Sequence, residues 1–371
     1  MRRRENIGLH YSGNTENFSE VKKILNIIGS PFNSSRHLHP DNYNSLELFD
    51  IAQKNKIGLL FLEALAKQNE LVHELQLELG RQREINETLQ VTMQRTATIL
   101  NGANYKYVII KSIYPFPATP NDVDILVFGD GNEYKKIIAL MKYNYFQLIG
   151  EEAPLEVCLH DSSRGRHLIN TDKSAYVKDP LDVDIYNEVG AGHIIYMDKT
   201  KLINRTSETI INSTKINILK LTAEIVLSIF HSIYPERLYT LLLHFHILYM
   251  IRNMTSADKD EFLQVCNENQ MSVVASLVLS LTDIIQKKCF GQSPEKLTDL
   301  LEALPKSNSQ VRVDKLPYLY SVQDTLKAFW NKKTDLVFTK SVIRQTLSML
   351  NPQYMSYVVK VHRNRTKRET Y

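Results

Sequence analysis

The spacing of apolar residues changes period twice along the chain, and the changes divide it into three regions. From Ser45 to about Gly102, Leu59, Leu62, Leu65, Leu71, Leu75, Leu79, Leu89, Met93 and Leu100 recur mostly at helical intervals, with Glu, Gln, Arg and Lys between them. That is the signature of one apolar helix face. A long helix or helical hairpin is therefore expected, packing on whatever follows, with a two-stranded coiled coil as the rival use of the same stripe. A shorter helix is expected at 18–28, stopped by Gly29-Ser30-Pro31. From Asn101 to about Asp198 short apolar runs bounded by turn residues take over. Residues 107–111, 123–128, 145–149, 155–160 and 181–186 read as strands, with 193–197 a sixth and a helix at 132–143. From Ile216 the helical period returns, beginning with 216–233, in segments punctuated by Pro235, Pro294, Pro305 and Pro317.

This pattern predicts an α+β protein: a small mixed sheet flanked by a helical N-terminal segment and a large helical C-terminal domain. The expected divisions are 1–100 for the N-terminal helices, 101–205 for the sheet domain, 206–355 for the C-terminal helices and 356–371 for a basic tail. No run approaches the roughly 18 apolar residues needed to span a bilayer, so no membrane partner is expected. The basic start Met1-Arg2-Arg3-Arg4 has no apolar stretch behind it, so a cytoplasmic location is expected. Cys158, Cys266 and Cys289 are far apart and form no metal-binding spacing. The net charge of +4 is unevenly placed, since Lys360, Arg363, Arg365, Lys367 and Arg368 crowd the last twelve residues against Glu369 alone. Such a tail is either a solvated end or a handle for nucleic acid.

The chemistry concentrates around Asp122-Val123-Asp124-Ile125. On a strand Asp122 and Asp124 share one face while Val123 and Ile125 take the other. Two carboxylates so placed can converge on a hard divalent cation. Sixty residues later Asp182-Val183-Asp184-Ile185-Tyr186 repeats the arrangement. If the two strands are neighbours, their acids build one metal site. Asp184 and Asp182 compete for the role of third carboxylate.

A small residue in the loop after one strand, Asp-x-Asp opening the next, and a third Asp on a later strand together resemble the nucleotidyltransferase superfamily related to DNA polymerase beta. The pattern is most similar to the uncharacterised nucleotidyltransferases of bacteria and archaea. Its counterparts here are Ile110-Lys111-Ser112, Asp122 to Val127, and Val183-Asp184-Ile185-Tyr186, with His231 standing for a helical His of that family. The resemblance covers roughly residues 85–250. It implies a Mg²⁺-dependent enzyme that moves a nucleoside monophosphate from an NTP such as ATP to an acceptor hydroxyl on RNA or tRNA, a protein or a small molecule. Two Mg²⁺ ions, or Mn²⁺, would be held by Asp122, Asp124 and Asp184, which would also be the catalytic residues. The resemblance favours Asp184 over Asp182. It also implies nucleotide contacts from Lys111 and Ser112, and one from Lys220 at a helix start.

The chain departs from the family at Lys111, where glycine is usual, and at Tyr186, where histidine is usual. Lysine could meet a phosphate as a point charge. Arg164 and Arg166, in a polar hairpin ahead of the second acidic strand, could reach phosphate or RNA backbone or could simply be solvated. Zinc at His160, Asp161 and His167 is rejected for want of a fourth ligand. His231 reads more readily as a core histidine than as a catalytic one, and Tyr114 and Phe116 are candidates for stacking on a base. Two other readings compete with the enzyme. One is a degenerate nucleotidyltransferase fold that only binds or regulates. The other is a glycosyltransferase that uses a single Asp-x-Asp and would leave the second acidic strand without a role.

Overall fold

The computed structural model describes residues 17–32, 43–149, 155–166, 179–306, 312–356 and 358–359. Four helices lead the chain: α1 (Asn17–Ile28), α2 (Ser45–Lys54), α3 (Gly58–Lys67) and α4 (His73–Gly102). The expected near-continuous helix over 45–102 is thus three helices. The chain turns at Lys56 and Asn69, both with φ near 60° in the left-handed region. The apolar spacing runs on across these turns because Leu48, Phe61, Leu65, Leu75 and Leu79 all feed one core.

Next come β1 (Tyr107–Ile110), β2 (Val123–Val127), α5 (Gly131–Tyr143), β3 (Phe146–Leu148), β4 (Glu156–Asp161) and β5 (Asp182–Tyr186). The small hairpin β6 (Val189–Ala191) and β7 (Ile194–Met197) follows, then β8 (Thr206–Ile211) and β9 (Thr214–Leu219). Seven of these strands form one mixed sheet in the order β3-β4-β5-β2-β1-β9-β8. Within it β2 and β5 run parallel, as do β1 and β9. The strand expected at 193–197 is present as β7 but pairs with β6 outside this sheet.

The sheet extends past the boundary expected at 205, and the helix expected over 216–233 begins only at Leu221. Residues Thr214 to Leu219 are β9 instead. Asn212 and Ser213 both adopt positive φ between β8 and β9, the conformation of a tight two-residue hairpin turn. Ile216 and Ile218 suit a strand as well as a helix, so the turn settles the matter and the apolar count does not.

The remaining helices are α6 (Leu221–Ile233), α7 (Leu241–Asn253), α8 (Ser256–Glu268), α9 (Ser272–Phe290), α10 (Glu295–Ala303), α11 (Val322–Asn331) and α12 (Leu336–Ser348). A two-residue ladder pairs β10 (Leu238–Tyr239) with β11 (Tyr318–Leu319). The molecule is therefore α+β. One sheet face packs Ile109, Val123, Ile125, Val183 and Ile185 under α4 and α5. The other, with Val108, Ile110, Leu126 and Tyr186, shares a core with the C-terminal helices. Leu89, Met93, Ala97 and Leu100 of α4 are buried in the first of these cores, so the stripe weighed for a coiled coil is spent within the chain. No helix among the described residues is long and apolar enough to cross a membrane.

Candidate metal centre

Two strand starts and one loop build the site. Parallel pairing sets Asp124 of β2 directly beside Asp184 of β5. Asp122, the residue before β2, points to the same side. One oxygen from each of Asp122, Asp124 and Asp184 lies within 4.8 Å of the others, and all three residues are buried. The alternation that buries Val123, Ile125, Val183 and Ile185 under α4 and α5 obliges the acids to face the C-terminal helices.

Asp182 shares the strand face but not the cluster. Its Oδ1 lies 2.9 Å from His160 Nδ1, and its Oδ2 accepts the Asp179 N–H at 3.2 Å. The other His160 nitrogen lies 3.3 Å from the Gly165 carbonyl. Asp182 and His160 thus fasten the β4–β5 connection.

Lys111 is the most informative residue of the site. Its φ of 52° lies in the left-handed region, where glycine costs nothing and lysine costs about 1–2 kcal/mol. The backbone shape that glycine would favour is kept, and a side chain is added. That side chain lies 3.3 Å from Asp124 Oδ2 and 4.8 Å from the centre of the Tyr186 ring. Burial works to lower the pKa of its ammonium, but the negative charge of Asp124, Glu156 and Asp184 outweighs that and raises it. Lys111 is charged and serves as a counter-ion inside the acid cluster. Burial pushes the Asp124 carboxyl above its ordinary value, with Lys111 opposing the rise and Asp184 adding to it.

Ser112 is committed to the backbone. Its hydroxyl donates to the Ile110 carbonyl and accepts the Asp124 N–H, both at 2.9 Å. Ser112→Ala leaves the buried Asp124 N–H without that acceptor and should cost about 1–3 kcal/mol of stability in urea unfolding. A purely phosphate-binding Ser112 would leave stability unchanged. Tyr114 and Phe116, considered above for base stacking, pack inward. The Tyr114 hydroxyl donates to the Lys111 carbonyl at 2.7 Å, and its ring meets His246 of α7 edge-on. Phe116 lies against Phe245 and Tyr249. Both rings brace the β1–β2 loop on α7.

The residue of α6 that reaches this loop is Glu224. Its Oε1 accepts the Lys111 N–H at 2.7 Å, while its buried Oε2 has no hydrogen-bond partner among the described residues. Burial pushes Glu224 up to about 7, against the opposing N–H and charge of Lys111. An acid raised in this way contributes stability that is full below its unfolded value of 4.5 and is lost as pH rises through about 7. Glu224→Gln cannot ionise. Its stability relative to the wild type should therefore improve by about 2 kcal/mol between pH 5 and pH 8 in urea unfolding. A pH-independent difference would contradict the assignment.

The other expected contacts lie elsewhere. Lys220 caps α6 on the surface and pairs with Glu261 of α8 at 3.3 Å. Arg164 donates to Thr92 Oγ1 of α4 at 3.2 Å, and Arg166 is exposed. Most of the connection after Arg166, including His167, and the basic residues from Lys360 onward lie outside the described residues. His231 takes a hydrogen bond with the Tyr196 hydroxyl through Nδ1 at 2.9 Å. Burial, helped by the charge of Lys111, lowers its pKa to about 4. It is a neutral packing partner.

Three groups around the cluster were not assigned a role from the sequence. Glu156 and Cys158 of β4 stand opposite Tyr186 and Asp184, and Tyr196 adds a third polar group nearby. Burial pushes Glu156 up to about 7, and Asp184 raises it further. Burial likewise raises the Cys158 thiol, with Asp184 the next contributor. The available signal was Glu156, Cys158 and His160 alternating with apolar Val157 and Leu159. A cleft of about 590 Å³ runs along the 112–118 segment, lined among others by Arg83, Asn86, Gln90, Ile113, Phe116 and Asn212.

No protein-family model matches the chain, and neither the curated proteins nor the solved structures contain a match.

Proposed function

We propose that the protein is a divalent-cation-dependent nucleotidyltransferase, with Asp122, Asp124 and Asp184 as its catalytic carboxylates and metal ligands. The observation that carries this reading is the convergence of three buried carboxylates on adjacent parallel strands. The donor set is all oxygen and crowded with negative charge, which suits Mg²⁺ or Mn²⁺ better than softer metals. Burial raises the Asp124 pKa, and the neighbouring charge of Asp184 adds to that rise. When bound, two such ions would stabilise the charge that develops on the entering and leaving oxygens of an in-line displacement. Asp122, Asp124 and Asp184 would together hold the cations, and Asp184 would also take the proton of the acceptor hydroxyl. The acceptor oxygen bonds to the α-phosphorus of the NTP and pyrophosphate leaves. Lys111, already charged and beside Asp124, would meet phosphate oxygen. Ser112 positions the start of β2 through its backbone bonds. The register of Asp184 beside Asp124 also gives the second acidic strand a part that a single Asp-x-Asp glycosyltransferase would not use.

Incubation with each labelled NTP, Mg²⁺ or Mn²⁺, and total RNA, a protein extract or small hydroxylated acceptors tests the reading. Label transfer that depends on the cation and is lost in Asp122→Ala and Asp184→Ala is expected. Transfer unchanged in those variants would refute it.

One observation favours a second reading. The Lys111–Asp124 pair supplies positive charge from within, so the site could bind nucleotide or regulate a partner without a cation. Nucleotide binding unaffected by chelation, with no label transfer to any acceptor, would select that reading.

A further inference from the structure

Among the described residues, nine of the twenty exposed large apolar side chains lie between Val322 and Val359, a small fraction of the chain. They are ordered rather than scattered. Val322, Leu326 and Trp330 recur every fourth residue and form one stripe along α11, and Leu336, Ile343 and Leu347 form one along α12. Contact between Phe329 and Phe338 ties the end of α11 to the start of α12. The inner side of α12 is already fixed to the β6–β7 hairpin, because Ser341 Oγ accepts the Ile195 N–H and Gln345 Oε1 accepts the His193 N–H. The outward stripes therefore remain as surplus apolar surface.

The charge of the same segment is the second observation. Residues 321–359 hold five Lys and Arg against two acids, Asp324 and Asp335, both of them buried. On the exposed helices Lys340 and Arg344 border the α12 stripe, and the Lys333 ammonium sits 4.6 Å from the Trp330 ring centre. Aliphatic stripes edged by basic residues, with a tryptophan next to a lysine, suit a surface that is apolar below and anionic above. A second copy of the chain would bring two faces of like charge together. A nucleic acid would satisfy the charge but leave the aliphatic stripes in water.

We propose that α11 and α12 dock the protein on an anionic lipid bilayer through their exposed apolar stripes, without crossing it. This departs from the expectation of no membrane partner drawn from the lack of a spanning segment. A helix too short and polar to span a bilayer can still lie in its interface. The inference does not depend on the metal site.

Trp330 is the only tryptophan in the chain and is 69% exposed, so intrinsic emission reports this surface directly. With the full-length protein, vesicles of phosphatidylcholine containing about one-third phosphatidylserine should shift the emission to the blue and co-sediment the protein. Pure phosphatidylcholine vesicles should do neither, and high salt should reverse the effect. The double variant Leu326→Ser/Leu347→Ser changes only exposed positions, so its thermal unfolding should match the wild type while its vesicle affinity falls at least tenfold. No response to anionic vesicles overturns the proposal. So does a blue shift that follows protein concentration without lipid and accompanies a doubling of mass, which would assign the face to a second copy. A response to RNA with none to vesicles overturns it in favour of nucleic acid. Vesicle affinity unchanged in the double variant overturns the role of the stripes.

Discussion

Asp184→Asn should abolish the rise in melting temperature that Mn²⁺ produces in the wild type and lower nucleotidyl transfer on the order of 10²–10³-fold. Asp182→Asn should leave both in place. The two acids are two residues apart on one strand face, so the contrast tests the geometry rather than the general need for negative charge. Asp184 stands in register with Asp124 and shares a cluster no wider than 4.8 Å with Asp122. Asp182 is engaged by His160 and by the Asp179 N–H. A cation that binds only the folded state adds about 2.7 kcal/mol at a hundredfold excess over its Kd, enough to be read as a melting shift. The Asn side chain removes one charge from the cluster and leaves the metal-free fold with less repulsion around Asp124. Asp182→Asn should instead cost about 1–3 kcal/mol of stability, because it weakens the buried acceptor of His160. Calorimetry of the two variants with and without Mn²⁺ decides the matter. An Asp182→Asn variant that loses the cation effect while Asp184→Asn keeps it would reverse the assignment.

Lys111→Met should have the opposite character, weakening the protein without cation and strengthening its grip on one. At 3.3 Å and an effective dielectric near 20, the Lys111–Asp124 attraction is on the order of 5 kcal/mol before desolvation is counted. Removing one partner of a buried pair leaves the other charge uncompensated and typically costs about 3–5 kcal/mol. In the presence of a chelator the Met variant should lose stability of that size in urea unfolding. With Mn²⁺ much of the loss should return, because the cation supplies the charge the lysine did. Mn²⁺ affinity itself, read by titration calorimetry, should rise at least tenfold, since no resident ammonium competes for Asp124. NTP binding should weaken in the same variant. If Lys111→Met is as stable as the wild type under chelation and binds Mn²⁺ no more tightly, the lysine is not the counter-ion of the cluster. The metal site itself would then still stand or fall by Asp184→Asn.

Much of this architecture was legible because it is local. Alternation in Val123 to Val127 and in Asp182 to Tyr186 marks both acidic strands and the side their acids take, since successive side chains on a strand must point to opposite faces. Helical spacing located α4 and most of the C-terminal helices for a similar reason. Where local signals conflicted, the reading failed. Ile216 and Ile218 fit either period, and only the positive-φ turn at Asn212 and Ser213 makes them strand. Lys220, at the start of α6, pairs with Glu261, while Glu224, one turn further, meets the β1–β2 loop.

The sequence by itself determined the α+β class, the identity of the two acidic strands and the face on which their carboxylates lie. Those follow from backbone periodicity and the burial of apolar side chains. Only the tertiary structure decided that β2 and β5 pair in parallel with Asp124 beside Asp184, so that Asp184 joins the cluster and Asp182 does not. It also decided that Lys111 turns its charge onto Asp124, and that Tyr114 and Phe116 face α7. The physical reason is that strand register and loop conformation depend on contacts between residues far apart in the chain, which no local pattern encodes.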